Sequence, residues 1–417
     1  MIPGARPGTT LDVAIIASLT AIALQLLPLP FGLRDLLSPH AADVDRTLRI
    51  DAAWAAAAGE RAAAPLTINV NATLQSLAKA LLVALVFWSA RGLFERGGVR
   101  RTAHRIAWIG LVVSVVAIVE RTTSPTALYG VWPVAGARPY GPFINRNHMA
   151  TWLIIAIPLT AGAFAMRVRQ TIAESRNRRS AALDGFADPT LLWLAASAAI
   201  MLVALVVSAS RSGAIGIAAG LVAGSALAAS RLGRGERRWV VIAPAVACVA
   251  VVWYAGAAPL ADRFVHVAAS SSVDRRVEIW RQTLPIVRDF AVTGTGAGTY
   301  YTAMLVYQGG DRLFFFNQAH NHYLQIAAEG GILAGVPRAL MLVAFAVIAW
   351  RRLRADRSEM FWLRAGALAS MVAVAAQSMW ETGLVMPANA ALCAVVAAIA
   401  VHRPRSLRIE DCGLRID

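Results

Sequence analysis

Long apolar runs separated by short polar segments fill most of the chain. Runs of about 17–25 apolar residues are long enough to cross a bilayer as helices. We predict ten of them, at residues 11–32, 72–90, 106–120, 148–166, 190–209, 213–230, 239–258, 330–350, 360–379 and 385–402. No cleavable signal is recognised, so the first run is expected to remain as a span. The pattern predicts an all-α, polytopic integral membrane protein, with residues 1–417 as a single membrane domain.

The composition agrees with a membrane protein, and this affects how the positive net charge is interpreted. Hydrophobic residues make up 58% of the chain and charged residues 15%, against about 25% charged residues in soluble domains. The formal net charge of +16 would indicate a nucleic acid partner for a soluble protein. In a membrane protein, basic residues gather in loops on the cytoplasmic side. We therefore expect membrane lipids around the chain and no nucleic acid partner.

The basic residues between the predicted spans fall on one side of the membrane. They lie in alternate loops and in the C-terminal tail, at Arg91, Arg96, Arg100, Arg101 and Arg105; Arg167, Arg169, Arg176, Arg178 and Arg179; Arg231, Arg234, Arg237 and Arg238; Arg351, Arg352, Arg354 and Arg357; and Arg403, Arg405, Arg408 and Arg415. Short basic loops mark the cytoplasmic side. Both termini are then cytoplasmic, with residues 403–417 as a cytoplasmic tail.

The opposite side receives three substantial loops, at residues 33–71, 121–147 and 259–329. Loops of this length are uncommon unless they are structured or functional, so chemistry is expected on the extracytoplasmic face. The longest loop is predicted to be partly helical. One apolar helix face is formed there by Val273, Val277, Trp280, Leu284 and Val287. We expect this helix to lie along the membrane surface and to end in the Gly-rich turn TGTGAG.

Polar residues concentrate on that face in three clusters. They are YGPFINRNHMATWLI (140–154), VVSASRSGAIG (206–216) and the two segments at 271–300 and 317–332. The candidate site residues in these clusters are Arg146, Asn147, Arg211, Arg276, His320 and Asn321.

Taken singly, these residues have ordinary structural interpretations. Asn145 or Asn147 is placed to cap the fourth span, as Asn often does. Arg211 is also explained as an arginine that snorkels from a span end, and Arg276 as a solvated residue at the interface. A lone loop histidine such as His320 is more often structural than catalytic. No single residue decides between structure and function.

The combination of guanidinium groups and an imidazole at one membrane face favours a particular chemistry. Arginine forks bind phosphate oxygens and stay charged in a low dielectric, which suits a lipid-linked diphosphate leaving group. Histidine takes up a hydroxyl proton near neutral pH. Asp274, Glu278 and Asp289 share a helix with arginines and are expected to be their ion-pair partners, and the three cysteines have no ligand-like spacing. No metal site and no cofactor are therefore predicted.

Four stretches, in this order, resemble the O-antigen ligase and O-antigen polymerase superfamily of bacterial envelope glycosyltransferases. They are GPFINRNHMATWL, SASRSGAIG, RRVEIW followed by GTGAGTY, and AHNHYLQIAAEGGILAG, and they cover roughly residues 105–350. The His-Asn pair followed by Tyr-Leu and then Glu-Gly-Gly is the most specific of them.

The resemblance implies a C-type glycosyltransferase-like membrane fold in the bacterial inner membrane, with the active site facing the periplasm. Such enzymes take a glycan from undecaprenyl diphosphate and pass it to lipid A-core (ligases) or to a second lipid-linked glycan (polymerases), without metal or ATP. By motif, Arg211 and Arg276 are expected to hold the diphosphate, and His320 to activate the acceptor hydroxyl. Arg146, Asn147 and Asn321 are expected in the wall of the site.

Two features depart from the family pattern. Family members often have about twelve spans rather than ten, and GVPRAL places Pro337 and Arg338 where an uninterrupted apolar helix is usual.

The alternatives come from other functional classes. Internal repeats and broken, charged helices near the bilayer midplane would favour a transporter or flippase for lipid-linked oligosaccharides. No convincing repeat is visible in the sequence, and the polar clusters lie at one face. A non-catalytic scaffold would not need His320. Ligase and polymerase are not separated at this level.

Overall fold

The part of the chain that the structure describes folds into a bundle of helices with two short antiparallel strand pairs. The computed structural model describes residues 7–48, 63–124, 126–134, 139–175, 187–233, 235–238, 242, 272–309 and 315–403. In chain order the elements are α1 (Pro7–Leu24), β1 (Pro28–Pro30), α2 (Phe31–Leu37), α3 (Ala41–Leu48), β2 (Ala63–Pro65), α4 (Val70–Glu95), α5 (Val99–Thr123), β3 (Ala127–Leu128), β4 (Trp132–Pro133), α6 (Arg146–Glu174), α7 (Pro189–Val207), α8 (Arg211–Ala229), α9 (Ser272–Asp289), α10 (Tyr300–Tyr307), α11 (His322–Ala355), α12 (Met360–Gln377), a 3₁₀ turn (Gly383–Val385) and α13 (Pro387–Val401).

Among the described residues, seven helices are long and apolar enough to cross a membrane: α4, α5, α6, α7, α8, α11 and α12. Two shorter apolar helices, α1 and α13, match the first and last predicted spans. The predicted span at 239–258 lies outside the described residues, apart from residue 242. The predicted all-α, polytopic membrane fold is confirmed.

Helix α5 is longer than the predicted span at 106–120, because the basic residues before that span are also helical. The helix begins at Val99, directly after Gly98 in a left-handed conformation (φ 88°). Arg100, Arg101 and Arg105 therefore lie on the first turns of α5 rather than in a loop.

Helix α11 begins at His322, eight residues before the predicted start of its span at 330, and it is broken at Gly331 (φ 52°, ψ −154°). The break frees backbone N–H groups that need other partners. Ile332 N–H donates to the carbonyl of Ala291 at 2.8 Å, and Leu333 N–H donates to that of Val292 at 2.9 Å. The outer part of α11 is thereby joined to the segment after α9.

The membrane core is packed through small residues. A Cβ on Gly366 of α12 would lie 2.5 Å from the carbonyl oxygen of Pro158 in α6, and a Cβ on Gly162 would lie 2.6 Å from the carbonyl oxygen of Trp362. Ser370 Oγ also donates to the Ile155 carbonyl at 2.7 Å. Close backbone approach of this kind is a common way for membrane helices to associate.

Basic residues meet at one end of the bundle. Arg231 after α8 donates to the Asp356 carbonyl after α11 at 2.7 Å, and Arg364 in α12 donates to Asp356 Oδ2 at 2.7 Å and to the His402 carbonyl after α13 at 3.0 Å. Near the start of α1, Asp12 pairs with Arg91 of α4 at 2.8 Å. We call this the basic end; the start of α1 and the close of α13 both lie there.

A second, smaller core lies at the opposite end. It joins α3, α9 and α10 through the buried side chains of Ala41, Val44, Ile286, Phe290, Tyr300, Ala303, Met304, Ala319 and Ala328. Parts of the predicted loops 33–71 and 259–329 thus pack against each other. We call this region the outer core.

The predicted helix in the longest loop is present as α9, and the side chains that it buries within the protein lie about one residue position from the predicted apolar face. Ile279, Thr283 and Ile286 point into the protein, whereas Leu284 is 57% exposed. Packing against α10 decides this: Thr283 Oγ1 lies 2.7 Å from Tyr300 Oη. The side chain of Val273 lies outside the described part of the chain.

Candidate active site

The centre of the site is the carboxylate of Glu381, which is 0% exposed. Its Oε1 lies 3.3 Å from His320 Nδ1 and accepts the backbone N–H of Thr382 at 3.1 Å. Its Oε2 accepts Asn147 Nδ2 at 2.7 Å and lies 3.7 Å from Arg276 Nη2. One buried carboxylate therefore brings together three of the predicted site residues.

The neighbours of Glu381 keep its carboxylate charged. Burial by itself raises the pKa of Glu381, but the hydrogen bonds from His320 and the Thr382 N–H and the charge of Arg276 outweigh burial and hold the pKa below its ordinary value of 4.5. A buried anion of this kind is stable only with such partners.

The backbone around His320 is fastened on both sides to the link between α12 and α13. Two residues before it, Gln318 Oε1 accepts the hydroxyl of Thr382. Two residues after it, His322 N–H donates to the Ser378 carbonyl at 2.8 Å. These two hydrogen bonds hold the imidazole of His320 next to Glu381.

Helix α9 is hydrogen-bonded to the segment around His320, through a residue one turn beyond Arg276. Trp280 Nε1 donates to the Ala319 carbonyl at 3.0 Å, and Ala319 N–H donates to Gln325 Oε1 at 3.2 Å. The motifs RRVEIW and AHNHY are therefore in direct contact, which explains how Arg276 reaches the His320 site.

Two site segments contain strained backbone. Among the described residues, the non-glycine residues with positive φ are Tyr129 (53°), Ala209 (52°) and His320 (48°). Ala209 precedes Ser210, whose hydroxyl caps α8 by accepting Gly213 N–H at 3.2 Å. Such strain is typical of functional positions that the surrounding structure holds in place.

Asn147 joins two parts of the site, and the helix cap belongs to its neighbour. Asn145 is the N-cap of α6 and accepts the backbone N–H of Asn147 at 2.8 Å. The Asn147 side chain donates to Glu381 and accepts Ser210 Oγ at 2.8 Å. The capping role considered for Asn147 was therefore wrong, because its amide is used to connect α6, the start of α8 and Glu381.

Arg211 and Arg276 form the cationic part of the site. Arg276 is 19% exposed; burial lowers its pKa, Glu381 raises it, and the positive charge of nearby Arg211 lowers it again. Arg211 is half-buried at the start of α8 and has no ion pair or hydrogen bond to a side chain within the described ranges. The two cations thus repel each other across a site that favours an anion.

Arg146 and Asn321 lie beside this centre, next in the chain to Asn147 and His320. Arg146 is exposed at the start of α6 and lines a small cavity with Arg121 and Tyr140. Asn321 caps α11 by accepting Leu324 N–H at 3.1 Å. His148, by contrast, is buried close to the charges of Glu381 and His320, and its Nε2 has no hydrogen-bond partner in the described residues.

The Gly-rich turn after α9 is a structural clamp for a second buried carboxylate. Glu329 accepts Gly298 N–H at 2.8 Å, Tyr300 N–H at 3.2 Å and Gln325 Nε2 at 3.1 Å. A Cβ on Gly294 (φ 66°) would lie 2.2 Å from the Glu329 carbonyl oxygen, so this position requires glycine. The Glu-Gly-Gly motif and the turn are therefore two halves of one structure.

Two carboxylates on α9 have local partners, while the side chain of Asp274 lies outside the described residues. Asp289 pairs with Arg288 at 3.1 Å, as predicted, while Glu278 accepts Gln282 Nε2 at 2.7 Å. Within the described ranges, no group of three or more His, Cys, Asp or Glu side chains is placed to hold a metal ion.

The chemistry that this arrangement allows is proton abstraction beside an anion site. If Nδ1–H of His320 donates to Glu381, Nε2 is left as a proton acceptor. His320 is 29% exposed, so a hydroxyl group can approach it. The cation of Arg276 lies 3.7 Å from the other oxygen of the same carboxylate, and Arg211 is close enough to Arg276 for their charges to interact.

Glu381 was not among the residues predicted from the sequence, although a signal for it exists. It is the only acidic residue between Glu359 and Glu410, and the predicted topology places it between the last two spans on the outer side. An isolated carboxylate in such apolar surroundings is a functional candidate.

Comparison with known families supports the resemblance. Residues 196–337 match the family model described as O-antigen ligase, so the predicted relationship to the O-antigen ligase and polymerase superfamily is confirmed. The matched segment contains Arg211, Arg276 and His320, while Asn147 and Glu381 lie outside it. Comparison with curated proteins finds no match. The family supports a glycosyltransferase role, with lipid-linked glycan substrates, for this multi-pass membrane protein.

Proposed function

Starting from the O-antigen ligase domain at residues 196–337, we propose that the protein transfers a glycan from undecaprenyl diphosphate to an acceptor hydroxyl. The observation that carries this proposal is the convergence of Arg276 and His320 on the buried carboxylate of Glu381. A diphosphate-binding cation and a proton acceptor are thereby held in one site. The acceptor is lipid A-core for a ligase, or a second lipid-linked glycan for a polymerase.

In the proposed reaction, the acceptor oxygen attacks the anomeric carbon of the donor glycan. His320 Nε2 takes the hydroxyl proton as the new carbon–oxygen bond forms. The bond between the anomeric carbon and the diphosphate oxygen breaks, and its electron pair leaves with undecaprenyl diphosphate. Arg211 and Arg276 stabilise the negative charge that develops on that leaving group.

The orientation follows from the separation of the two ends. The site residues begin α6, α8 and α11, whereas the basic end lies where these helices finish. Because basic residues favour the cytoplasmic side, we assign the basic end and both termini to the cytoplasm and the site to the periplasm. From the family resemblance, we assign the membrane as the bacterial inner membrane.

The proposal is tested by a transfer assay with purified protein in proteoliposomes. The donor is an undecaprenyl diphosphate-linked glycan, and separate reactions contain lipid A-core or a second lipid-linked glycan. His320→Ala is expected to slow transfer by at least about 100-fold, the usual contribution of a general base. Arg276→Lys is expected to slow it by about tenfold or more, because lysine cannot form the bidentate contact.

The matched control is Arg281→Lys, which makes the same change at an exposed position of α9. It should transfer glycan at the wild-type rate. Full activity of both His320→Ala and Arg276→Lys would show that the mechanism is wrong. Movement of glycan across the bilayer without a new glycosidic bond would support a transporter or flippase instead.

A further inference from the structure

The carboxylate of Glu381 has two oxygens with different partners. Oε1 faces His320 and the Thr382 N–H, and Oε2 faces Asn147 and Arg276. The contact with Arg276 is the longest of the four, at 3.7 Å. It is thus an ion pair without the short hydrogen bond that Asn147 makes at 2.7 Å.

We infer that Glu381 is an exchangeable counterion that couples donor binding to the positioning of His320. With the donor absent, Arg276 shares its charge with Glu381. When the diphosphate is bound, its oxygens contact Arg276, and the Glu381 carboxylate is left to orient His320. This inference rests on the function proposed above and names Glu381 as a positioning residue, since it acts through His320.

The charges in the site support an exchange rather than a fixed pair. Arg276 faces one carboxylate and is repelled by Arg211, so the site holds two cations against one anion. A diphosphate carries two to three negative charges and therefore binds the arginines against the competition of Glu381. The short bonds from Asn147 and Thr382 keep the carboxylate in place when Arg276 turns to the donor.

The coupling has a consequence that a purely structural role does not have. Removing the negative charge of Glu381 frees Arg276 and removes repulsion of the diphosphate, so donor binding becomes tighter. The same change removes the partner that orients His320, so the chemical step becomes slower. Affinity and rate therefore move in opposite directions, whereas general damage to the site would lower both.

The experiment compares the full chain and Glu381→Gln in nanodiscs, with undecaprenyl diphosphate that carries no glycan as the binding probe. We expect the variant to bind the probe about tenfold more tightly and its kcat with a complete donor to fall by at least about 100-fold. Glu381→Asp keeps the charge with a shorter reach. It should bind the probe within about threefold of wild type and still lose kcat.

Glu278→Gln is the matched control, because it removes one negative charge from the exposed surface of α9, two residues from Arg276. It should change neither quantity by more than about twofold. Equal or weaker probe binding by Glu381→Gln would overturn the inference while leaving the proposed function intact. If that variant does not fold, weak probe binding by Glu381→Asp overturns the inference. A wild-type protein that binds no probe would overturn the proposed function itself.

Discussion

His320 and Glu381 are 61 residues apart in the chain, and their side chains meet at 3.3 Å inside the protein. The imidazole projects from a left-handed residue just before α11, and the carboxylate projects from the link between α12 and α13. A histidine that is oriented by a carboxylate through Nδ1 has its Nε2 directed elsewhere. The contact between His320 and Glu381 therefore sets which ring nitrogen of His320 is available to a substrate.

Substitutions of Asn145 and Asn147 should have different effects, because Asn145 caps α6 and Asn147 connects parts of the site. Asn145→Ala should lower the free energy of unfolding by about 1 kcal/mol, because the N-cap of α6 is lost, while the folded enzyme keeps its transfer rate. Asn147→Ala should lower the transfer rate by about tenfold or more, because Glu381 and Ser210 lose their common partner. Thermal unfolding and transfer assays on both variants check this. Equal effects of the two changes on the transfer rate would contradict it.

The stability of the basic end should depend on pH through His402. This residue is 2% exposed, and burial together with the positive charge of Arg364 lowers its pKa from 6.5 to about 4. Below pH 6.5 the unfolded chain gains a proton that the folded chain does not accept until about pH 4. The free energy of unfolding should therefore fall in this window, by up to about 1.4 kcal/mol per pH unit.

The measurement is thermal unfolding of the wild type and of His402→Gln between pH 4 and pH 8. The wild type should lose stability below about pH 6.5, the unperturbed histidine pKa, and the variant should lose less. Above that pH the two curves should run parallel. A constant difference over the whole range would argue against a neutral, buried His402.

The contact between α6 and α12 predicts opposite outcomes for two glycine substitutions. Gly366→Ala would place a Cβ 2.5 Å from the Pro158 carbonyl oxygen, so we expect a loss of about 2 kcal/mol or more, or failure to assemble. Gly335 lies within α11 and has open space around its Cβ position, so Gly335→Ala should be neutral or stabilising by up to about 1 kcal/mol. Unfolding temperatures of the purified variants test the pair.

The strained backbone at Ala209 gives a further prediction. Its φ of 52° is adopted by glycine at no steric cost, so Ala209→Gly should raise stability or leave it unchanged. Ala218→Gly makes the same change inside α8 and should cost about 1 kcal/mol. A loss of similar size in both variants would mean that the left-handed conformation at position 209 is not strained.

The membrane helices could be predicted from the sequence because long apolar runs have few alternatives in a bilayer. Their exact limits could not, since residues such as Arg100 and Arg101 continue a helix beyond its apolar part. The motifs identified Arg211, Arg276 and His320 as site residues. They did not identify the carboxylate of Glu381, which Arg276 and His320 both contact. Glu381 belongs to no periodic pattern, and its partners come from three distant segments.

The face of α9 shows the same limit at a smaller scale. Trp280 and Leu284 form as regular an apolar stripe as Ile279 and Ile286 do. Which stripe is buried depends on where Tyr300 and α10 pack, and this is tertiary information. Asn145 and Asn147 are likewise equivalent as cap candidates until the position of Glu381 is known.

The Gly-rich turn binds a carboxylate of the chain itself and is therefore not a site for an external anion. Its backbone N–H groups at Gly298 and Tyr300 are already occupied by Glu329, a carboxylate of the chain itself. These two N–H groups are thus not available to the diphosphate of the proposed donor, which under our proposal is held by the side chains of Arg211 and Arg276. In the proposed reaction the lipid carrier leaves after every cycle, and contacts made by side chains are easier to break than contacts made by a fixed backbone turn.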